Sequence, residues 1–118
     1  MRDINKYEVF KKSHKLVLKI YEITKNFPRE ELYGLTLQMR RSSYSIPMNL
    51  KEGGSGSEKE FLRYVKTAYG SCEELLYQIM LCKDLSYIRE EEYKELNEKA
   101  EEIRRMLYSL IQKGRKNE

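Results

Sequence analysis

The sequence predicts an all-α protein, an antiparallel up-down-up-down four-helix bundle. Apolar residues recur at three- and four-residue intervals in four successive segments. The breaks between segments are short and carry helix-stopping residues such as Pro28 and the run Gly53-Gly54-Ser55-Gly56. Charged residues make up 36% of the chain but alternate in sign, which suits solvated helix faces and not a disordered tail. With 118 residues, one domain spanning 1–118 can bury a core without disulfides or metal.

The first helix is expected over about 5–27. Phe10, Ser13, Val17, Ile20, Thr24 and Phe27 share one face, widened by Val9, Leu16 and Ile23. Pro28 stops it, because the residue before a proline avoids the α region. The second helix is expected over 31–52, with Leu32, Leu35, Met39, Ser42, Ile46 and Asn49 as its core stripe and the glycine run as a flexible end. The third is expected over 57–85. Ser57 and Glu60 have capping-box spacing, and Phe61, Val65, Ala68, Cys72, Leu75, Ile79 and Cys82 follow in register. The fourth is expected over 89–113. Glu90, Glu91 and Glu92 complement its dipole, and Arg104, Arg105 and Lys113 are placed near its C-terminus. Short connections make successive helices antiparallel neighbours.

Little in the chain suggests chemistry of its own. No segment has the apolar core of a signal peptide or the length of a membrane span, so a cytoplasmic protein is the expectation. Cys72 and Cys82 lie on one helix about 15 Å apart, too far to pair, and read as small core residues. His14 is the single histidine, expected partly buried beside Phe10 and Val17. One histidine cannot build a dimetal bundle site, no zinc pattern exists, and the glycine run lacks a phosphate-loop lysine. The expectation is a non-enzyme without metal or cofactor.

The formal net charge is +4. In segment 1–28, Arg2, Lys6, Lys11, Lys12, Lys15, Lys19 and Lys25 face only Asp3, Glu8 and Glu22, so the excess resides there. Such an excess permits nucleic-acid contact without demonstrating it.

The segment Tyr33–Gly53 is the unusual one. Pro47 removes the hydrogen bond to the Ser43 carbonyl, which predicts a kink near 43–47, with Ser42, Ser43 and Ser45 available to serve loosened backbone groups. Asn49 is expected at a core position, where a paired amide fixes register or oligomeric state, with Gln38 near the same face. Arg40 and Arg41 point about 100° apart; one reading is phosphate contact, the other an ion pair to a neighbouring helix or subunit. The ten tyrosines exceed what one thin core needs. They suit packing against other subunits or, alternatively, stacking on unpaired bases.

These residues carry a resemblance. Tyr33-Gly34-Leu35-Thr36, Gln38, Arg40-Arg41, Ser45-Ile46-Pro47, Asn49 and Glu52-Gly53 are similar to the signature of four-helix-bundle proteins encoded in intervening sequences of bacterial 23S rRNA genes. Lys59-Glu60-Phe61, Gly70-Ser71, Glu74-Leu75 and Gln78 extend the likeness over nearly the whole chain. Ser42-Ser43, Met48, Leu50-Lys51, Leu76-Tyr77 and Arg89 depart from it. The resemblance implies a homo-oligomer, with a ring of five as the expected pattern, and a relation to bundles that assist reverse transcriptases. The resulting expectation is a non-enzymatic, self-associating bundle that binds RNA or DNA phosphates through Lys11, Lys12, Lys15, Lys19, Arg40 and Arg41. Pro47, Asn49, Gln38 and Gly53 are expected to set structure and register. The alternative is a protein–protein adaptor, for example to a reverse transcriptase.

Overall fold

Four helices form where the periodic segments lie. The computed structural model describes residues 2–116. Its helices are α1 (Glu8–Thr24), α2 (Leu35–Gly54), α3 (Glu58–Asp84) and α4 (Glu90–Lys116). One-turn 3-10 helices at Ile4–Lys6 and Arg29–Glu31 precede α1 and α2. Packing of α1 on α2, α2 on α3, α3 on α4 and α4 on α1 closes a four-helix bundle of 45 × 22 × 20 Å, with no strand among the described residues.

Two helices are shorter at their starts than their periodicity predicts. Tyr7 is extended and separates α1 from the 3-10 turn. At the other end the amides of Asn26 and Phe27 bond three residues back, to Ile23 and Thr24, so α1 stops at Thr24 rather than reaching 27. α2 begins at Leu35 and not at 31, because the Glu31 carboxylate folds forward and accepts from the Leu35 amide at 3.0 Å. A Cβ on Gly34 would lie 2.8 Å from that Glu31 oxygen, so glycine leaves the carboxylate its place.

The glycine run is not the flexible turn its composition suggests. Gly53 and Gly54 are buried inside the last turn of α2. A Cβ on Gly53 would fall 2.6 Å from Tyr64 Cβ on α3, and one on Gly54 2.3 Å from Ile4 Cγ1. The missing side chains allow α3 and the chain before α1 to close on α2. Ser57 then starts α3 with the full capping box: its hydroxyl accepts from the Glu60 amide, and its own amide donates to the Glu60 carboxylate, both at 3.1 Å.

The end of α3 is a left-handed cap. Ser86 has φ 62°, its amide bonds the Lys83 carbonyl at 3.0 Å, and the Tyr87 amide bonds the Cys82 carbonyl at 2.8 Å. This holds Tyr87 so that its ring meets Phe27 at 5.3 Å and its hydroxyl donates to Glu31 at 2.8 Å. The α3–α4 turn is thereby tied to the α1–α2 connection.

The core is formed by Leu16 and Ile20 of α1, Met39, Ile46 and Leu50 of α2, Leu75 and Ile79 of α3, and Leu96, Ile103 and Leu107 of α4. Cys72 and Cys82 are free and fully buried among them, and burial pushes each thiol up to about 12. In α2 the stripe is rotated from the expected one: Leu50 takes the core position and Asn49 is half-buried beside it, while Leu32 precedes the helix and is exposed. His14 is exposed, contrary to the expectation of partial burial.

Candidate nucleic-acid interface

The basic residues singled out in the sequence are dispersed, and most are engaged within the fold. Lys12 lies 3.4 Å from Glu102 and Lys19 3.4 Å from Glu95, so both tie α1 to α4. Lys11 pairs with Glu8 at 3.5 Å. Arg40 is half-buried; its Nε donates to Thr24 Oγ1 at 2.9 Å and its guanidinium sits 4.6 Å from the centre of the Tyr21 ring. It therefore clamps α2 to the C-terminal half of α1. Lys15 and Arg41 are exposed and make no ion pair or side-chain hydrogen bond among the described residues. The six do not form one surface.

Of the residues expected to set structure and register, Gly53 packs on Tyr64 at the α2–α3 seam and Asn49 lies beside the serines that cross it. Ser42 Oγ donates to Glu74 at 2.6 Å, and the hydroxyls of Ser45 and Ser71 meet at 2.8 Å. Asn49 Nδ2 donates to the Ser45 carbonyl at 2.7 Å and to its hydroxyl at 3.0 Å. The asparagine thus serves its own helix one turn before, beside the seam, and not the core. Gln38 is exposed. α2 passes through Pro47 without interruption, with the proline buried. The serines do not serve the carbonyl that Pro47 leaves free; Ser43 Oγ donates to Arg40 instead, at 2.8 Å.

Gly70, next to Ser71 in the middle of α3, is different from the other helical glycines. It is exposed, and nothing lies within 4 Å of where its Cβ would be. A mid-helix glycine costs about 1 kcal/mol relative to alanine, and no contact within the chain requires this one. Tyr77 of α3 and Met48 of α2 are large and exposed, at 58% and 52%.

A basic surface that the linear sequence does not display arises from the topology. α4 reverses sign along its length: Glu90, Glu91, Glu92, Glu95, Glu98, Glu101 and Glu102 precede Arg104, Arg105, Lys113, Arg115 and Lys116. Its basic end reaches the start of α3, where Gly114 packs against Leu62 and the exposed Lys59, Arg63 and Lys66 follow at helical spacing. The chain before α1 arrives at the same end. Arg2 pairs with Glu58, donates to the Gly56 carbonyl at 3.2 Å and lies 4.2 Å over the Phe61 ring. Lys6, Lys11 and Lys51 stand nearby on the same end of the bundle, Lys51 donating to Asn5 at 3.0 Å. The opposite end carries the acids of early α4 together with Glu30, Glu31 and Asp84. The net charge of +4 therefore conceals a molecule polarised along its long axis.

Among the described residues no cluster of histidine, cysteine and carboxylates could hold a metal ion, and no helix is long and apolar enough to cross a membrane.

The fold and the engaged polar seam define a class: a small antiparallel four-helix bundle stitched by serine hydroxyls between its second and third helices. The chain belongs to the 23S rRNA-intervening sequence protein family, whose model matches residues 5–109. It is similar to a crystal structure of a protein of unknown function from the S23 ribosomal protein family of Bacteroides thetaiotaomicron, with 27% identity and a TM-score of 0.78 over 87% of this chain and 97% of that one. No curated protein matches the sequence.

Proposed function

We propose that this protein is a non-enzymatic, cytoplasmic homo-oligomer, a ring of five being the assembly the resemblance implies, that binds RNA or DNA phosphates without sequence preference. The observation that carries the reading is the gathering of basic side chains at one end of the bundle. Lysine and arginine there come from all four helices and from the chain before α1. Phosphate neutralisation by such a surface releases counterions and reads no bases. A ring of copies multiplies the field of each basic end. Of the residues expected to bind from sequence, Arg40 is held against α1 and Lys12 and Lys19 pair with acids of α4, while Arg41 and Lys15 remain available.

Self-association is supported by the large exposed side chains Met48 of α2 and Tyr77 of α3 and by the uncovered Gly70, which leaves room for close approach of a second copy. Titration of the purified protein with RNA and with DNA over a range of salt tests the binding. Light scattering of Gly70→Trp against the parent tests the assembly; an unchanged mass removes that face from it.

The adaptor reading is favoured by one other observation. Tyr33, 85% exposed, and Leu32, Met80 and Leu85 stand at the acidic end, away from the basic surface. They suit a protein partner, for which a reverse transcriptase is one candidate. Pull-down with and without nuclease distinguishes a partner held by these side chains from one bridged by nucleic acid.

A further inference from the structure

The basic end also contains a cleft. The chain before Tyr7 turns away from α4, placing Ile4 over Gly54 and Arg2 over Phe61. The last turns of α4 are consequently left partly uncovered along the α1–α4 seam, which is the least extensive of the four helix contacts. Two adjoining hollows result, of about 260 and 280 Å³, which share Tyr7, Leu110 and Lys113. Phe61 and Leu62 line the first; Met106 and Ser109 line the second. Tyr7 is half-buried and stands edge-on to Phe61, with ring centres 6.2 Å apart at 81°. Lys113 stands at the mouth, with Arg115 and Lys116 close beyond it, while Arg2 is taken up by Glu58, the acid of the first hollow. Glu8, the acid of the second hollow, is paired with Lys11.

We infer that this cleft takes an unpaired base of a single-stranded nucleic acid, its flanking phosphates held by Lys113 and the basic end of α4. The inference rests on the nucleic-acid reading above and narrows it to single strands. A surface of lysines alone treats duplex and single strand as charged rods. A hollow with a tyrosine in its wall, thioether and leucine side chains along it, and cations at its mouth matches a nucleotide: an apolar ring next to a negative charge. A base in a duplex is stacked and paired, so it cannot enter without being unstacked.

The test compares three strands of equal length at low salt by fluorescence anisotropy: oligothymidine, the same backbone with abasic sites, and a DNA duplex. One base stacked in the cleft makes oligothymidine bind about tenfold tighter than the abasic strand. Ser109→Trp, at an exposed position on the rim, fills the cleft and abolishes that difference. Lys113→Gln weakens both strands equally. Equal affinity of the parent protein for oligothymidine and the abasic strand overturns the cleft and leaves phosphate binding standing. Absence of binding to all three overturns both. The comparison on the parent protein stands even if Ser109→Trp does not fold, and a thermal melt of that variant reports whether it does.

Discussion

Gly53 of α2 faces Tyr64 of α3 so closely that a Cβ on the glycine would stand 2.6 Å from the tyrosine Cβ. The tyrosine Cβ is fixed to its own backbone, so no rotamer change relieves the clash. Alanine at this position favours the helix by about 1 kcal/mol but forces α2 and α3 apart, and overpacking of this kind costs about 1–3 kcal/mol. Gly53→Ala is predicted to lower stability, and chemical denaturation measures it.

Gly70→Ala is predicted to do the opposite. Nothing surrounds its Cβ position, so only the helix propensity acts, worth up to about 1 kcal/mol of added stability. The same substitution thus changes sign between α2 and α3. A loss of stability at Gly70 in dilute, monomeric protein contradicts the open surface described there.

Ser86 holds a left-handed conformation at φ 62°. Left-handed geometry costs an L-residue about 1–2 kcal/mol, which glycine avoids. Ser86→Gly is predicted to raise the melting temperature without altering the Tyr87–Glu31 hydrogen bond.

That hydrogen bond gives a pH dependence. The Leu35 amide and then the Tyr87 hydroxyl hold the Glu31 carboxyl below its ordinary value of 4.5. Its contribution is present above the ordinary carboxylate range and is lost as pH falls through the depressed value. The bond to Glu31 holds the Tyr87 phenol above its ordinary value of 10.0. This second contribution is present below that value and is lost as pH rises through the elevated one. Tyr87→Phe is predicted to remove this pair's share of the alkaline loss, leaving that of the buried thiols, and to reduce the acid loss in part, because the Leu35 amide remains. Melting temperature against pH checks both limbs.

Cys72 and Cys82 are buried thiols pushed up to about 12. Neither forms thiolate at neutral pH in the folded state, so alkylation is predicted to follow unfolding. A thiol reagent that labels the native protein at the rate of a free peptide contradicts the core as described.

The fold was legible where local physics decides it. The capping box at Ser57 and Glu60 and the apolar periods of α3 and α4 are contained in neighbouring residues, and α3 occupies almost the whole of its expected range. The fold departs from that reading where distant residues decide. Gly53 and Gly54 look like a turn until Tyr64 and Ile4 are placed against them. Asn49 and Leu50 both fit a helical stripe, and only packing against the other helices buries Leu50 and leaves Asn49 half-buried. The site was less legible than the fold. Arg40 and Lys12 show only a charge in the sequence; their partners Thr24 and Glu102 lie on other helices. The basic end exists because antiparallel topology brings the close of α4 to the start of α3.

Salt dependence of RNA binding tests the central claim most directly, measured on the parent protein and on a variant with Lys113, Arg115 and Lys116 changed to glutamine. The prediction is binding at low salt whose logarithmic affinity falls linearly with the logarithm of salt concentration, with a shallower slope and weaker binding in the variant. No binding at low salt, or binding indifferent to salt and to the three substitutions, contradicts it.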